Sequence, residues 1–220
     1  SIIDLSGGSQ PIHNEDKTLW IVFNGEIFNY PEIRESLLKL GHKFYTTTDT
    51  EVILHLYEEK GEKSLDDLNG QFAFVIWDSV KKEFIAARDR VGILPFFYKI
   101  ENEKLLFASE AKAIIEISDS STSFDPIGLD QIFTFWTNLP GRTAFQNINE
   151  LSPGHYLKFS PGKEISINRY WSLPYNKNLL TEDKSIPEFT GEISDLMKDS
   201  IRIRLRADVP VGSYLSGGLD

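Results

Sequence analysis

The sequence predicts an α+β fold: two helices and a run of antiparallel hairpins form one domain, and the opening of a second, α/β domain follows. Three observations carry this. Two segments near the start, 31–41 and 48–61, repeat apolar residues at three-to-four spacing, as amphipathic helices do. From Gln71 on, short stretches rich in Phe, Ile and Val alternate with connections too short for crossover helices. Past a polar stretch at 175–187, a helical pattern runs into a strand pattern and then a glycine pair, which is how an α/β unit begins.

The elements follow in order. Leu19 to Phe23 is an apolar run ending at Asn24-Gly25, read as a strand entering a turn. Pro31 suits a first helical turn, Ile33, Leu37 and Leu40 mark one face, and Gly41 is a stop. Thr48 with Glu51 makes a capping box before the stripe of Val52, Ile53, Leu56 and Tyr57. Phe72 to Asp78, Glu83 to Arg88, Leu94 to Lys99 and Lys104 to Ser109 have strand length and β-type composition. Residues 119–125 read as a loop, and Ile127 to Trp136 as a helix. His155 to Phe159 with Glu164 to Tyr170 reads as one more hairpin. Phe189, Ile193, Leu196, Met197 and Ile201 define a helix face, and Arg202, Arg204 and Arg206 suit its negative end. Val209 to Leu215 reads as a buried strand. The aromatic groups at 72–77, 96–98 and 133–136 are expected in the core.

A chain of 220 residues holds one full domain and part of another. Its 23 basic against 33 acidic residues, a net charge of −10, disfavour partners that present phosphates, so neither nucleic acid nor an anionic membrane is expected. No run approaches a membrane span, and a cytoplasmic protein is expected. The absence of cysteine excludes disulfides, zinc–thiolate sites and a cysteine nucleophile within these residues. His13, His42, His55 and His155 share no metal-ligand spacing, so none is expected to be a ligand. Ser1 lacks an initiator methionine ahead of it and Asp220 stops inside a glycine-rich turn, so both ends read as edges of a longer chain.

Two motifs can carry chemistry. At the C-terminal end, Ser216-Gly217-Gly218 after an apolar run can wrap an anion with backbone N–H groups and a hydroxyl, or can be a tight turn. Asn24 beside Gly25 can place a carboxamide and an unobstructed N–H at a developing oxyanion, or can occupy an ordinary turn. Glu26 and Asp49 can grip the ammonium of an amino acid; Asp49 also suits a first helical turn for reasons of helix dipole alone. Arg88-Asp89-Arg90-Val91-Gly92 is expected to be a charged turn held by arginine–carboxylate pairing that braces the core.

The combination is specific. NGEIFNY, TTTDTEVILHLYEEKG, LDDLNGQFAFVIWD, ARDRVGILPFFY, FASEAKAI, LSPGHYLKF and DVPVGSYLSGGLD, in that order across nearly the whole chain, resemble the glutamine-hydrolysing asparagine synthetases. The resemblance implies a four-layer αββα sandwich of the N-terminal-nucleophile type at 1–174, a linker at 175–187 and the start of an ATP-binding synthetase domain at 188–220. It implies that glutamine is hydrolysed to ammonia, which a tunnel delivers to a β-aspartyl-adenylate, giving asparagine, AMP and pyrophosphate. By motif, Asn24 and Gly25 would form the oxyanion hole, and Ile2, Ile3, Asn24, Gly25, Glu26 and Asp49 the glutamine pocket. Leu215, Ser216, Gly217, Gly218 and Asp220 would bind ATP, with Asp220 helping to hold its Mg²⁺. No metal is implied in the glutaminase domain. Glutamine, aspartate and ATP are the expected small-molecule partners, and a homodimer is a compatible assembly. The family's nucleophile is an N-terminal cysteine, absent from these residues, so this piece alone is expected to be inactive. Two alternatives stand beside this reading: a relative of the β-lactam-synthetase kind, with glutaminase activity lost and another amide formed through an adenylate, and a non-catalytic regulatory or binding domain on the same fold.

Overall fold

A computed structural model of the chain describes residues 3–4, 7–175 and 184–218. Its strands are β1 (Ile12–His13), β2 (Leu19–Ile27), β3 (Gly70–Asp78), β4 (Glu83–Arg88), β5 (Phe97–Glu101), β6 (Lys104–Ala108), β7 (Asn149–Glu150), β8 (His155–Phe159) and β9 (Ser166–Arg169). They form a six-stranded sheet, ordered β1-β2-β3-β4-β8-β9, and a three-stranded sheet, ordered β6-β5-β7, with every pairing antiparallel.

Strand alternation builds two cores on the two faces of the larger sheet. Phe72, Phe74 and Ile76 of β3 point with Ile21 and Ile85 into a cluster closed by Ile33 and Leu37 of α1 (Tyr30–Leu40) and Val52, Ile53 and Leu56 of α2 (Asp49–Lys60). The intervening Ala73 and Val75 point the other way, with Ala86, Leu157 and Phe159, onto Phe96 and Tyr98 at the second sheet. The far side of that sheet is covered by α4 (Ala111–Ile117), whose Ile114 is fully buried. The layers are therefore helix, sheet, sheet, helix, as expected. A short α3 (Ser64–Asp67) links α2 to β3, while α5 (Pro126–Phe135) and α6 (Ile186–Arg204) lie outside the sandwich cores.

Local chemistry sets the helix ends. Pro31 lies in the first turn of α1, and Gly41 caps it at a left-handed φ of 102°. Thr48 caps α2 by accepting from Glu51 N–H. The reciprocal half of the capping box is missing, because the Glu51 carboxylate is fully buried and accepts instead from Tyr45 N, Thr46 N and Thr46 Oγ1. α2 is buried from Asp49 to Tyr57, so its apolar stripe sits within a helix enclosed on all sides.

Three further expectations fail. The strand from Leu19 does not end at Phe23 but continues to Ile27, carrying Asn24-Gly25 within the ladder. The aromatic group at 133–136 is not core: Phe133 is 84% and Trp136 93% exposed, because α5 approaches the fold through Gly128, where an added Cβ would lie 2.1 Å from the Thr143 carbonyl, and turns its aromatic side outward. Val209 to Leu215 is neither strand nor buried; no described strand offers it a ladder, and without one an apolar run stays irregular. The helix before it, α6, forms as expected, with Ser185 N–H and Oγ both donating to Glu188 Oε2 at 2.7 Å.

Candidate active site

β2 positions the centre. Register pairs Asn24 with Ala73, Gly25 with Phe72 and Glu26 with Gln71. Alternation turns Asn24 and Glu26 toward the second sheet, on the same face as Val22. Asn24 lines a cavity of about 220 Å³ between the sheets, with Gln10, Val75, Phe96, Phe107 and Ser109. Its Nδ2 donates to Ser109 Oγ at 3.3 Å, which uses one of the two amide hydrogens.

Gly25 is required at its position. Its φ is +145°, and a Cβ there would lie 2.1 Å from the Gln71 carbonyl oxygen. Phe23, Gly25 and Ile27 occupy alternate rungs of β2. The N–H of Phe23 donates to Gln10 Oε1 at 2.6 Å and that of Ile27 to Asp49 Oδ2 at 3.0 Å, so both turn away from β3. Gly25 N–H lies on the rung between them, flanked by the Asn24 amide.

Two carboxylates complete the centre. Asp49, 5% exposed at the start of α2, has its pKa pushed up to about 6, chiefly by burial and further by the charge of Glu26. Burial also pushes Glu26 up, opposed by a hydrogen bond from Gln71 Nε2 at 3.3 Å and by the Arg204 guanidinium. Asp49 feels the charge of Glu26, and two desolvated acids within reach of each other's field favour a cation, a need an ammonium group meets. Nearby Tyr30 is pushed up by burial and by Asp208 and Asp49. The end of α6 and the segment after it reach this edge: Arg206 donates to the Phe28 carbonyl at 2.5 Å and to both oxygens of Glu32, and Arg204 stacks 4.5 Å over the Phe28 ring.

Of the residues singled out in the sequence, the structure brings together Asn24, Gly25, Glu26 and Asp49. Ile3 is buried, and Ile2 lies outside the described residues. Leu215, Ser216, Gly217 and Gly218 are exposed; Gly217 has a φ of +76° and Gly218 N–H donates to Ser216 Oγ at 3.2 Å, a small polar loop. Asp220 lies outside the described residues. Ser109, Gln71 and Arg204 were missed. The first two stand inside quoted motifs, so motif membership was their only signal; Arg204 looked like a helix-end charge.

Residues 1–171 match the glutamine amidotransferase domain family. The chain belongs to that family. Residues 192–220 of this amidotransferase chain match the asparagine synthase family. Asparagine synthetase [glutamine-hydrolyzing] 3 of Bacillus subtilis is 40% identical over all of the chain, which covers 36% of that protein. Amidase chyE of Penicillium rubens is 36% identical over all of the chain, covering 32% of its length. The amidotransferase chain thus spans about a third of the curated relatives it matches. A solved glutamine phosphoribosylpyrophosphate amidotransferase from B. subtilis, at 24% identity and a TM-score of 0.53, covers 74% of this chain, which spans 32% of that one, and shares its fold. No helix among the described residues is long and apolar enough to cross a membrane.

Proposed function

We propose that this chain supplies the glutamine-binding and oxyanion-stabilising half of a glutamine-hydrolysing synthetase of the asparagine synthetase type. The observation that carries the reading is the pair of desolvated acids, Glu26 and Asp49, set beside the Asn24 amide and Gly25 N–H on one strand. The acids hold the amino-acid end of glutamine with Ile2 and Ile3, and Asn24 Nδ2 with Gly25 N–H takes the negative charge that develops on the amide oxygen. Glutamate and ammonia are the products of this half. The attacking thiol is not among these 220 residues, which contain no cysteine.

Residues 1–174 form the amidotransferase domain, 175–187 the linker and 188–220 the start of the synthetase domain, where the Leu215–Gly218 loop receives ATP phosphates and Asp220 their Mg²⁺. The partners are glutamine, aspartate and ATP, in a cytoplasmic protein. The relative named as an amidase supports a second reading, in which the same machinery serves an acceptor other than aspartate.

Asn24→Ala in the protein is expected to lower the glutaminase kcat about 10²-fold, as loss of one oxyanion donor does, with little change in KM. Residues 1–220 alone are expected to show no rate above background. Wild-type kcat in the Asn24→Ala protein, or glutamine turnover by the isolated chain, overturns the assignment. Measuring AMP and pyrophosphate with aspartate and with other acceptors separates the two readings.

A further inference from the structure

The four histidines share no ligand spacing, yet the fold brings two of them together. His42 follows the Gly41 cap of α1, His55 and Glu58 lie on one side of α2, and Glu15 comes from the β1–β2 turn. His42 Nδ1 is 3.1 Å from His55 Nδ1 and 3.6 Å from Glu58 Oε2. His55 Nδ1 is 2.8 Å from Glu58 Oε2 and 3.5 Å from Glu15 Oε2. The four ligand atoms all lie within 4.8 Å of one another. Metal–ligand bonds of about 2.0–2.2 Å give a tetrahedron whose edges are roughly 3.3–3.5 Å, a value that the four separations above, 2.8–3.6 Å, bracket.

The outward nitrogens supply a second, independent observation. His42 Nε2 is 2.9 Å from Glu59 Oε1, and His55 Nε2 is 3.5 Å from Glu51 Oε1. Carboxylates only accept, so His42 holds its proton on Nε2 and turns its Nδ1 lone pair into the cluster, while His55 meets a carboxylate at both nitrogens and without a metal donates from Nδ1 to Glu58. That proton lies among His55 Nδ1, His42 Nδ1 and Glu58 Oε2, the place a metal ion would take on displacing it. Asn14 Nδ2 orients Glu58 through Oε1 at 2.7 Å, and the Phe44 ring packs edge-on at 4.4 Å against the fully buried His55.

We propose that Glu15, His42, His55 and Glu58 form a structural site for a divalent first-row transition metal, with zinc the best fit. Two imidazoles and two carboxylates suit zinc, and the carboxylates neutralise its charge, whereas calcium and magnesium take more ligands, all oxygen. The ion would join the β1–β2 turn, the loop after α1 and the middle of α2. A single proton is the competing occupant. Burial lowers the pKa of His55, but hydrogen bonds to Glu51 and Glu58 and the charge of Glu15 outweigh it and raise the group to about 9.

Titration of the metal-stripped full chain with zinc and with cobalt(II) decides between them. The site predicts one equivalent bound, visible cobalt bands of tetrahedral type, and a Tm raised by roughly 5–10 °C at zinc about 100-fold above its Kd. His42→Ala and Glu15→Gln, which leave the fully buried His55 in place, are expected to weaken binding at least tenfold with an unchanged circular dichroism spectrum. Glu59→Gln is expected to weaken it about 10–100-fold through the His42 tautomer. No cobalt band and no zinc shift overturns the proposal in favour of the proton. Binding that survives the His42→Ala, Glu15→Gln double variant overturns it in favour of a site elsewhere.

Discussion

Replacing Asp49 by Asn is expected to make the protein more stable at pH 8 and, at the same time, to remove most of its affinity for glutamine. The two effects have one cause. The folded pKa of Asp49, about 6, lies above its ordinary 3.8, so the native state holds the proton more tightly than the unfolded chain does. Stability therefore falls as pH rises from about 4 to about 6, and the whole penalty, roughly 1–3 kcal/mol, is present above that range. Asn has no charge to desolvate, and its Oδ1 still accepts from Ile27 N–H. A Tm several degrees higher at pH 8, shrinking toward zero at pH 4, is the expected result. Loss of the anion facing a buried ammonium is expected to reduce kcat/KM for glutamine 10²–10³-fold. In the wild type, glutamine should bind about tenfold more weakly at pH 5 than at pH 7, because Asp49 is then mostly protonated. An Asp49→Asn protein that binds glutamine normally contradicts the assignment of this pocket, and one destabilised at pH 8 contradicts its electrostatics.

The largest losses of stability are expected at Arg88 and Asp89. Arg88, 6% exposed, donates to the carbonyls of Leu94 (2.6 Å), Leu151 (2.7 Å) and Gly92 (2.9 Å), and pairs with Glu150 at 2.7 Å. Asp89, 1% exposed, accepts five backbone N–H groups, from Phe72, Val91, Gly92, Ile93 and Leu94. The turn braces the core as the sequence suggested, but by another route. Asp89 is held by backbone amides rather than by an arginine, and the carboxylate that meets Arg88 belongs to the distant strand β7. Asp89→Ala strands buried donors and is expected to cost about 3–5 kcal/mol, a Tm fall of roughly 6–20 °C. Arg88→Lys is expected to lose about 2–3 kcal/mol, since a single ammonium cannot span three carbonyls set by a planar fork. Thermal unfolding of both variants checks this; a Tm for Arg88→Lys within a degree of wild type would show that the fork geometry is unimportant.

Local chemistry explains what was legible beforehand. Pro31, Gly41, Thr48 and the spacing of Ile33, Leu37, Val52 and Leu56 act within a few residues, so α1 and α2 could be read directly. The strands β2, β3, β4, β6 and β8 were equally plain, but the two-residue β1 and β7 were not, Val209 to Leu215 is no strand, and partnership was not legible. β4 lies beside β8, and β5 joins the other sheet, although β4 and β5 are neighbours in sequence. The place of Asn24-Gly25 differs from the expectation because an Asn-Gly pair after an apolar run signals a turn when local signals alone are weighed; here the glycine marks where the Gln71 carbonyl crosses too close for a side chain. Motif order found Asn24, Gly25, Glu26 and Asp49, whereas residue type alone left each with an ordinary explanation. The approach of His42 to His55 depends on how the loop after α1 folds back on α2, and no spacing rule encodes that.

The alternation of β3 has a consequence for how this sequence is free to drift. Phe74 sits in a row with Ala87 and Tyr156 on the helix side, while its neighbour Val75 sits in a row with Ala86 and Leu157 between the sheets. A change of size at Val75 therefore has to be compensated on β4 or β8, not at the residue next to it. Adjacent letters belong to separate packing problems, and letters far apart share one. Lineages of this domain should carry correlated replacements within each row and independent ones between the rows.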